Sequence, residues 1–186
     1  MEKVDRRLVP LMDRDDVAIY NSIPTVEGTL MLVIQHTDFT IHGSKVIILG
    51  LGRVGMSLAR TFGHLGANVS IGVRSSASAA RVYEMGLTPI DMNSFEKTDM
   101  SCDILLNTVP YQVVDASVIK QLPPHALILD LASKPGGTDF RYADKRGIKA
   151  LLAPGLPGIV APKTAGRIIA DVVSRIVQEA SRKENG

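Results

Sequence analysis

The chain has one cysteine, no tryptophan, four tyrosines and four phenylalanines in 186 residues. With Cys102 alone, an intramolecular disulfide is impossible and a thiolate metal site lacks partners; the residue reads as a small member of the core. The four histidines, His36, His42, His64 and His125, are scattered, and none sits beside another at metal-ligand spacing. No metal site is expected. Aromatics make up only 4% of the chain, too little for a row of stacking platforms that would bind single strands or sugars. No Lys/Arg-rich run occurs, and 21 basic against 19 acidic residues leave a net charge of +2, so no footprint for nucleic acid exists. No apolar stretch reads as the roughly 18 residues of a membrane span. The start, MEKVDRRLVPLMDRDD, lacks the apolar centre of a signal peptide. A cytoplasmic location, with no membrane partner, is the expectation.

Hydrophobic residues make up 45% and charged residues 22%, ordinary values for a globular protein and too apolar for a disordered one. The length suits one domain. Composition separates three zones. Residues 1–23 are charged and carry no period. A helix is expected over Thr25–Thr37, with Pro24 at its start. From residue 44 short β-branched runs alternate with helical segments. Strands are expected at 45–50, 68–73, 88–90, 103–107, 126–130 and 148–153. Helices are expected at 54–65, 76–85, 117–121 and 140–146, and a long one at 160–182, with 183–186 frayed. Strands alternating with helices mean βαβ units, and so a doubly wound parallel sheet of the α/β class.

The sequence Gly50-Leu51-Gly52-Arg53-Val54-Gly55 is G-x-G-x-x-G, placed after a strand and at the start of a helix. That context makes it a phosphate loop. Gly50 permits a tight turn, Gly52 lets the backbone approach a pyrophosphate, and Gly55 lets the helix pack on the strand. The helix N-terminus adds N–H groups and partial positive charge. The reading is a Rossmann-type dinucleotide-binding domain over 24–182. NAD-selective sites carry an acidic residue at the end of the second strand. Here that place holds Val73 and Arg74, and no carboxylate lies between Asn68 and Arg81. Arg74, with Ser75 and Ser76, suits a ribose 2′-phosphate, so NADP is the expected cofactor. The alternative is a solvated Arg74 and loose selectivity.

Other candidates cluster where strands end. Asn107-Thr108-Val109-Pro110 is expected along the nicotinamide-side ribose, as are Ala132 and Ser133. Two Gly/Pro-rich loops, 130–140 and 153–164, form stiff walls. On them Lys134, Gly136, Gly155, Lys163 and Thr164 are candidates for holding a small acidic substrate; the lysines read equally as ordinary surface residues.

Three longer motifs narrow the field: Tyr20-Asn-Ser-Ile-Pro-Thr-Val-Glu-Gly28, Leu129-Asp-Leu-Ala-Ser-Lys-Pro-Gly-Gly-Thr-Asp-Phe140, and Leu151-Leu-Ala-Pro-Gly-Leu-Pro-Gly-Ile-Val-Ala-Pro-Lys-Thr-Ala-Gly166. Together with Ile41-His-Gly-Ser44, they resemble the dipicolinate synthase A-chain family, from about Leu11 to Gln178. The resemblance implies NADP-dependent oxidation of a dihydrodipicolinate ring to dipicolinate, a small dicarboxylate. It also implies a partner, the flavoprotein-like second subunit of dipicolinate synthase, together with homo-oligomers and the mother-cell cytoplasm of a sporulating bacterium. Family members carry another α/β domain ahead of the segment matching Leu11. Residues 1–23 would then be the tail and linker of that domain, with Leu8, Val9, Leu11 and Met12 left exposed. Without it, the chain would bind nucleotide yet turn over poorly.

The catalytic residue is not legible. Glu27 and Asp139 qualify as a base only by ionisation type, and His42 should lie at the opposite edge of the sheet. Two rival readings remain: a dehydrogenase or reductase of another small acid, and a nucleotide-binding module without catalysis in a hetero-oligomer.

Overall fold

The computed structural model describes residues 9–184. Six strands form one parallel sheet: β1 (Lys45–Leu49), β2 (Asn68–Val73), β3 (Thr88–Asp91), β4 (Ile104–Asn107), β5 (Leu127–Asp130) and β6 (Lys149–Leu152). Their order is β3-β2-β1-β4-β5-β6, the doubly wound arrangement. The strands are continuous apolar runs because both faces are covered. Val46 and Ile48 point to one layer; Ile47 and Leu49 point to the other.

Helices α1 (Asp15–His36), α2 (Arg53–His64) and α3 (Ser76–Glu84) cover the first face. Val26, Val33, Leu58, Ala59, Phe62 and Val82 fill the space between them and the sheet. The second face is closed by α4 (Ala116–Ile119), α5 (Phe140–Lys145) and a short 3-10 turn at Phe95–Lys97. Cys102 belongs to this second core and is buried, as expected. Burial pushes its thiol up to about 12, with the neighbouring Asp103 charge adding to the effect. Alkylation of the native protein at pH 8 should therefore run roughly a thousandfold slower than after unfolding, because so little thiolate is present. Stopped samples read by mass spectrometry would show this; equal rates in the two states would contradict it.

The long C-terminal helix runs much as expected, from Pro162 to Glu184, while the chain departs from expectation at its first helix and just after β6. The first helix begins at Asp15, not at Pro24, and Pro24 lies inside it. The division expected between residues 23 and 24 thus falls within α1. Three hydroxyls hydrogen-bond to carbonyls of α1 around Pro24: Ser22 to Ile19, Thr25 to Asn21 and Thr29 to Thr25. Asp15 and Asp16 suit the positive end of the helix. Asp15 accepts from Arg53 of α2 at 2.8 Å. The Arg14 guanidinium on Asp16, together with the Val17 N–H, holds that carboxyl down at about 2, although desolvation opposes it. The tertiary contacts of this first turn, Arg53 on Asp15 and Arg175 at 3.4 Å from Asp16, hold the helix ahead of its proline. Contrary to the sequence reading, α1 is long and apolar enough by length and composition to cross a membrane. Here Val17 and Val33 are fully buried and the helix packs on α2, α6 (Leu156–Val160) and α7 (Pro162–Glu184).

The expected loop 153–164 is largely helical. Pro157 and Pro162 sit in the first turns of α6 and α7, where a missing N–H costs little. Along α7, Val172 is buried while Val173 and Val177 stay exposed. Val9 and Met12 are exposed and Leu11 is half-buried; Leu8 and the last two residues lie outside the described range.

Candidate functional site

The carboxyl ends of β1, β4, β5 and β6 are in register at Leu49, Asn107, Asp130 and Leu152. The loops leaving this row build the site. Gly50 turns with φ +99°, a conformation that favours glycine. Gly52 is the N-cap of α2 and supplies no side-chain cap, so the N–H groups of the first turn face the loop. A Cβ on Gly52 would meet nothing within 4 Å, so the backbone is open to a ligand there. A Cβ on Gly55 would run into the Gly50 carbonyl oxygen. Open space at the second glycine and contact at the third fit a pyrophosphate lying on the end of α2.

Beside this turn lies a cleft of about 260 Å³, bounded by Gly50, Gly72, Arg74, Ser78, Met92 and Val109, with Leu51 and Val73. Among the described residues, Arg74 is the only charged one lining it. Its backbone is fixed by Asn93, whose amide donates to the Arg74 carbonyl and to Asp91. Asp91 also accepts from the Asn93 N–H and the Ser94 hydroxyl, and these bonds hold its carboxyl below the usual range. Ser75 caps α3, accepting from the Ser78 N–H. Ser76 is the first residue of that helix and is exposed. Gly72, Ser78 and Met92 were not legible as part of the cleft. A glycine inside a strand was the available signal, since it often marks close approach.

The loop after β4 spends its polar groups on itself. Asn107 is fully buried; its Oδ1 accepts from the Val109 N–H and its Nδ2 donates to the Val109 carbonyl, both at 3.0 Å. Thr108 donates its hydroxyl to the Leu49 carbonyl at 2.7 Å. These side chains tie β4 to β1 and shape the wall, leaving backbone and the exposed Pro110 toward solvent. The Arg53 side chain also turns away, to Asp15, so only its main chain remains at the loop.

Sequence reasoning passed over Asp130 as a site residue. It is fully buried. It accepts from the N–H groups of Ala132 (3.1 Å) and Gly137 (2.7 Å) and from the Thr138 hydroxyl (2.7 Å). The signal was an acidic residue closing an otherwise apolar strand. These bonds fold 131–138 back on β5, so Ser133 and Lys134 stand exposed at its tip beside a cis Lys134–Pro135 peptide, and Gly136 turns with φ +88°. Gly155, φ +70°, precedes α6, and Lys163 and Thr164 lie exposed in the first turn of α7. None of Lys134, Gly136, Gly155, Lys163 or Thr164 lines the cleft at Arg74. Glu27 is exposed. Asp139 caps α5 by accepting from the Tyr142 N–H. His42 lies against Gly66 at the amino-terminal edge. No group of three or more His, Cys, Asp or Glu side chains that could hold a metal exists among the described residues.

A doubly wound sheet, a G-x-G-x-x-G turn and an uncapped helix N-terminus define a dinucleotide-binding dehydrogenase domain. Residues 31–133 match the D-isomer specific 2-hydroxyacid dehydrogenase NAD binding domain, and the chain belongs to that family. More particularly, it is 61% identical, over 96% of its length, to the A chain of dipicolinate synthase from Bacillus subtilis (strain 168). The crystal structure of that Bacillus subtilis chain superposes with a TM-score of 0.93 at 61% identity, covering 96% of this chain. The corresponding crystal structure from Bacillus halodurans does so at 0.89 and 62%, covering 92% of this chain. The chain spans about 60% of the length of the Bacillus subtilis protein and 59% of the Bacillus halodurans one.

Proposed function

We propose that this chain is the NADP-binding part of a dipicolinate synthase A chain, which oxidises dihydrodipicolinate to dipicolinate. The observation that carries the cofactor half is Arg74, among the described residues the single charge lining the cleft beside the glycine turn, where none of them offers a carboxylate to a 2′-hydroxyl. The substrate half rests on the 61% identity to the Bacillus subtilis enzyme. The bound nicotinamide would accept a hydride from the dihydropyridine ring. The first turn of α2 would hold the pyrophosphate, and Arg74 with the Ser75–Ser76 helix start would hold the 2′-phosphate. The Asp130-braced loop, carrying Ala132 and Ser133, would bound the nicotinamide side. Lys134 and Lys163 would face the two carboxylates of the substrate.

In this reading the sheet and its flanking helices, α1 included, carry the nucleotide. The flavoprotein-like second subunit of dipicolinate synthase is the partner, within a homo-oligomeric enzyme in the mother-cell cytoplasm of a sporulating bacterium. The test is calorimetric titration with NADP⁺ and NAD⁺ at one salt concentration, for the wild type and Arg74→Ala. A charge-assisted contact is worth about 1.5–3 kcal/mol, so NADP⁺ should bind roughly 10- to 100-fold tighter, and Arg74→Ala should abolish the difference. Equal binding of both nucleotides to the wild type would overturn NADP selectivity. Binding of neither would remove the enzyme reading of this chain. Reduction of NADP⁺ with dihydrodipicolinate, in the presence of the flavoprotein-like partner, tests the substrate.

A further inference from the structure

The motif Tyr20–Gly28 has no part in the site described above, yet it contains Ser22, a polar side chain only 2% exposed. Its hydroxyl lies 2.7 Å from the Ile19 carbonyl, to which it donates, and 2.8 Å from the hydroxyl of Ser57 on α2. A serine has one proton to give. With the Ser22 proton on Ile19, the Ser57 hydroxyl donates to Ser22, and α1 is bonded to α2 where the first turn of α2 closes. The other acceptor open to Ser57, the Arg53 carbonyl, is farther away at 3.2 Å. One turn earlier on α2, Arg53 reaches Asp15 of α1 at 2.8 Å. Both side chains of that ion pair are solvated, at 46% and 84% exposure, so it adds little. The buried hydroxyl pair is the firmer of the two bonds. Leu58 and Phe62 seat α2 on the sheet. The outer flank of its first turn is open: Leu51, Gly52, Arg53 and Met56 line a cavity of about 910 Å³ that reaches to Met85 and Leu87, with Ser57 at its wall. On that flank the bonds to α1 oppose a shift of the turn.

We propose that Ser22 and Ser57 are positioning residues for the phosphate turn: their bond fixes the first turn of α2 against α1 and so sets the affinity for a pyrophosphate laid on its N–H groups. This rests on the nucleotide-binding reading above and adds two residues to it, neither of which touches the ligand. Hydrogen bonds weaken steeply as donor and acceptor lose alignment, so a small rotation of that turn costs binding. The motif Tyr20–Gly28 thereby gains a role at a distance: it supplies the fixed side of the joint.

Two probes separate positioning from general damage. NADP⁺ carries the pyrophosphate; adenosine 2′-monophosphate carries base and 2′-phosphate but no phosphate for α2. Binding of each is measured by calorimetry for the wild type, Ser22→Ala, Ser57→Ala and the double variant. One hydrogen bond supports a loss of roughly three- to tenfold in NADP⁺ affinity for each single variant. The double variant should lose no more than either single one, because both remove the same bond. Adenosine 2′-monophosphate should bind all four proteins alike. Ser57→Ala should melt within about 4 °C of the wild type, since alanine suits a helix interior, and it carries the test alone if Ser22→Ala fails to fold. NADP⁺ affinity unchanged in Ser57→Ala overturns the positioning role and leaves the nucleotide reading standing. An equal loss for both probes also overturns it, by marking a general loosening of the domain, and so do losses that multiply in the double variant. A wild type that binds neither probe removes the nucleotide reading and this inference together.

Discussion

Gly55→Ala should lose nucleotide binding and melt roughly 6–12 °C below the wild type, whereas Gly52→Ala should keep its melting temperature and lose binding alone. The difference lies in what a methyl group would meet. At Gly55 it enters the Gly50 carbonyl oxygen, with the Gly50 carbonyl carbon at 3.0 Å, and both belong to main chain that cannot swing aside. Either α2 lifts from β1 or the turn deforms. Overpacking of this kind costs about 3 kcal/mol at the upper end of its ordinary range, and 1 kcal/mol shifts the midpoint by about 2–4 °C at this size. A displaced α2 also carries its N-terminal N–H groups away from the phosphates. At Gly52 the methyl group meets no atom within 4 Å, so the fold is untouched and only the ligand's approach is blocked. Melting by circular dichroism and NADP⁺ titration of both variants separates the two effects. A Gly55→Ala protein with wild-type stability and binding would show that the loop is looser than its geometry indicates.

The second large effect belongs to Asp130. Asp130→Ala should destabilise the protein by about 3–5 kcal/mol, because three donors lose their acceptor inside the structure. Asp130→Asn should fall between the two: its single oxygen can keep Gly137 and Thr138, but its amide group then faces the Ala132 N–H, donor against donor. Urea denaturation would read the order wild type, Asn, Ala. The same variants should weaken NADP⁺ binding, since the loop from Leu131 to Thr138 loses its anchor. Equal midpoints for wild type and Asp130→Ala would refute the bracing role.

Strands β1, β4 and β5 were legible in the sequence, because each is an apolar run closed by a glycine or a polar residue, and the βαβ alternation marks the sheet as parallel and doubly wound. The glycine turn was legible from its context, and so was the lack of an acidic residue after β2. The first turns of α1 were not, since they are charged, aperiodic and followed by a proline; contacts from Arg53 and the α7 packing stabilise them. Helix α6 hid for a related reason: its proline and glycines read as a loop, but Pro157 sits in its first turn. Asn107 and Thr108 illustrate a different limit. Residue type marks them as polar groups at a strand end, yet only coordinates reveal that Val109 and Leu49 already occupy them. The same holds for Asp130, whose three donors come from a loop that must fold back first.

The placement of α1 has a consequence for the nascent chain. It leaves the ribosome before the whole sheet, and much of its apolar surface is covered by elements made well after it: Gly28 is pressed against Leu156, and the helix lies along α6 and α7. At about 5–20 residues per second, the interval between synthesis of these partners is on the order of ten seconds. During that time the emerging polypeptide displays a 22-residue apolar helix that α2 shields only in part. A bound chaperone, or transient association with another apolar surface, is the physical demand that this order of manufacture creates.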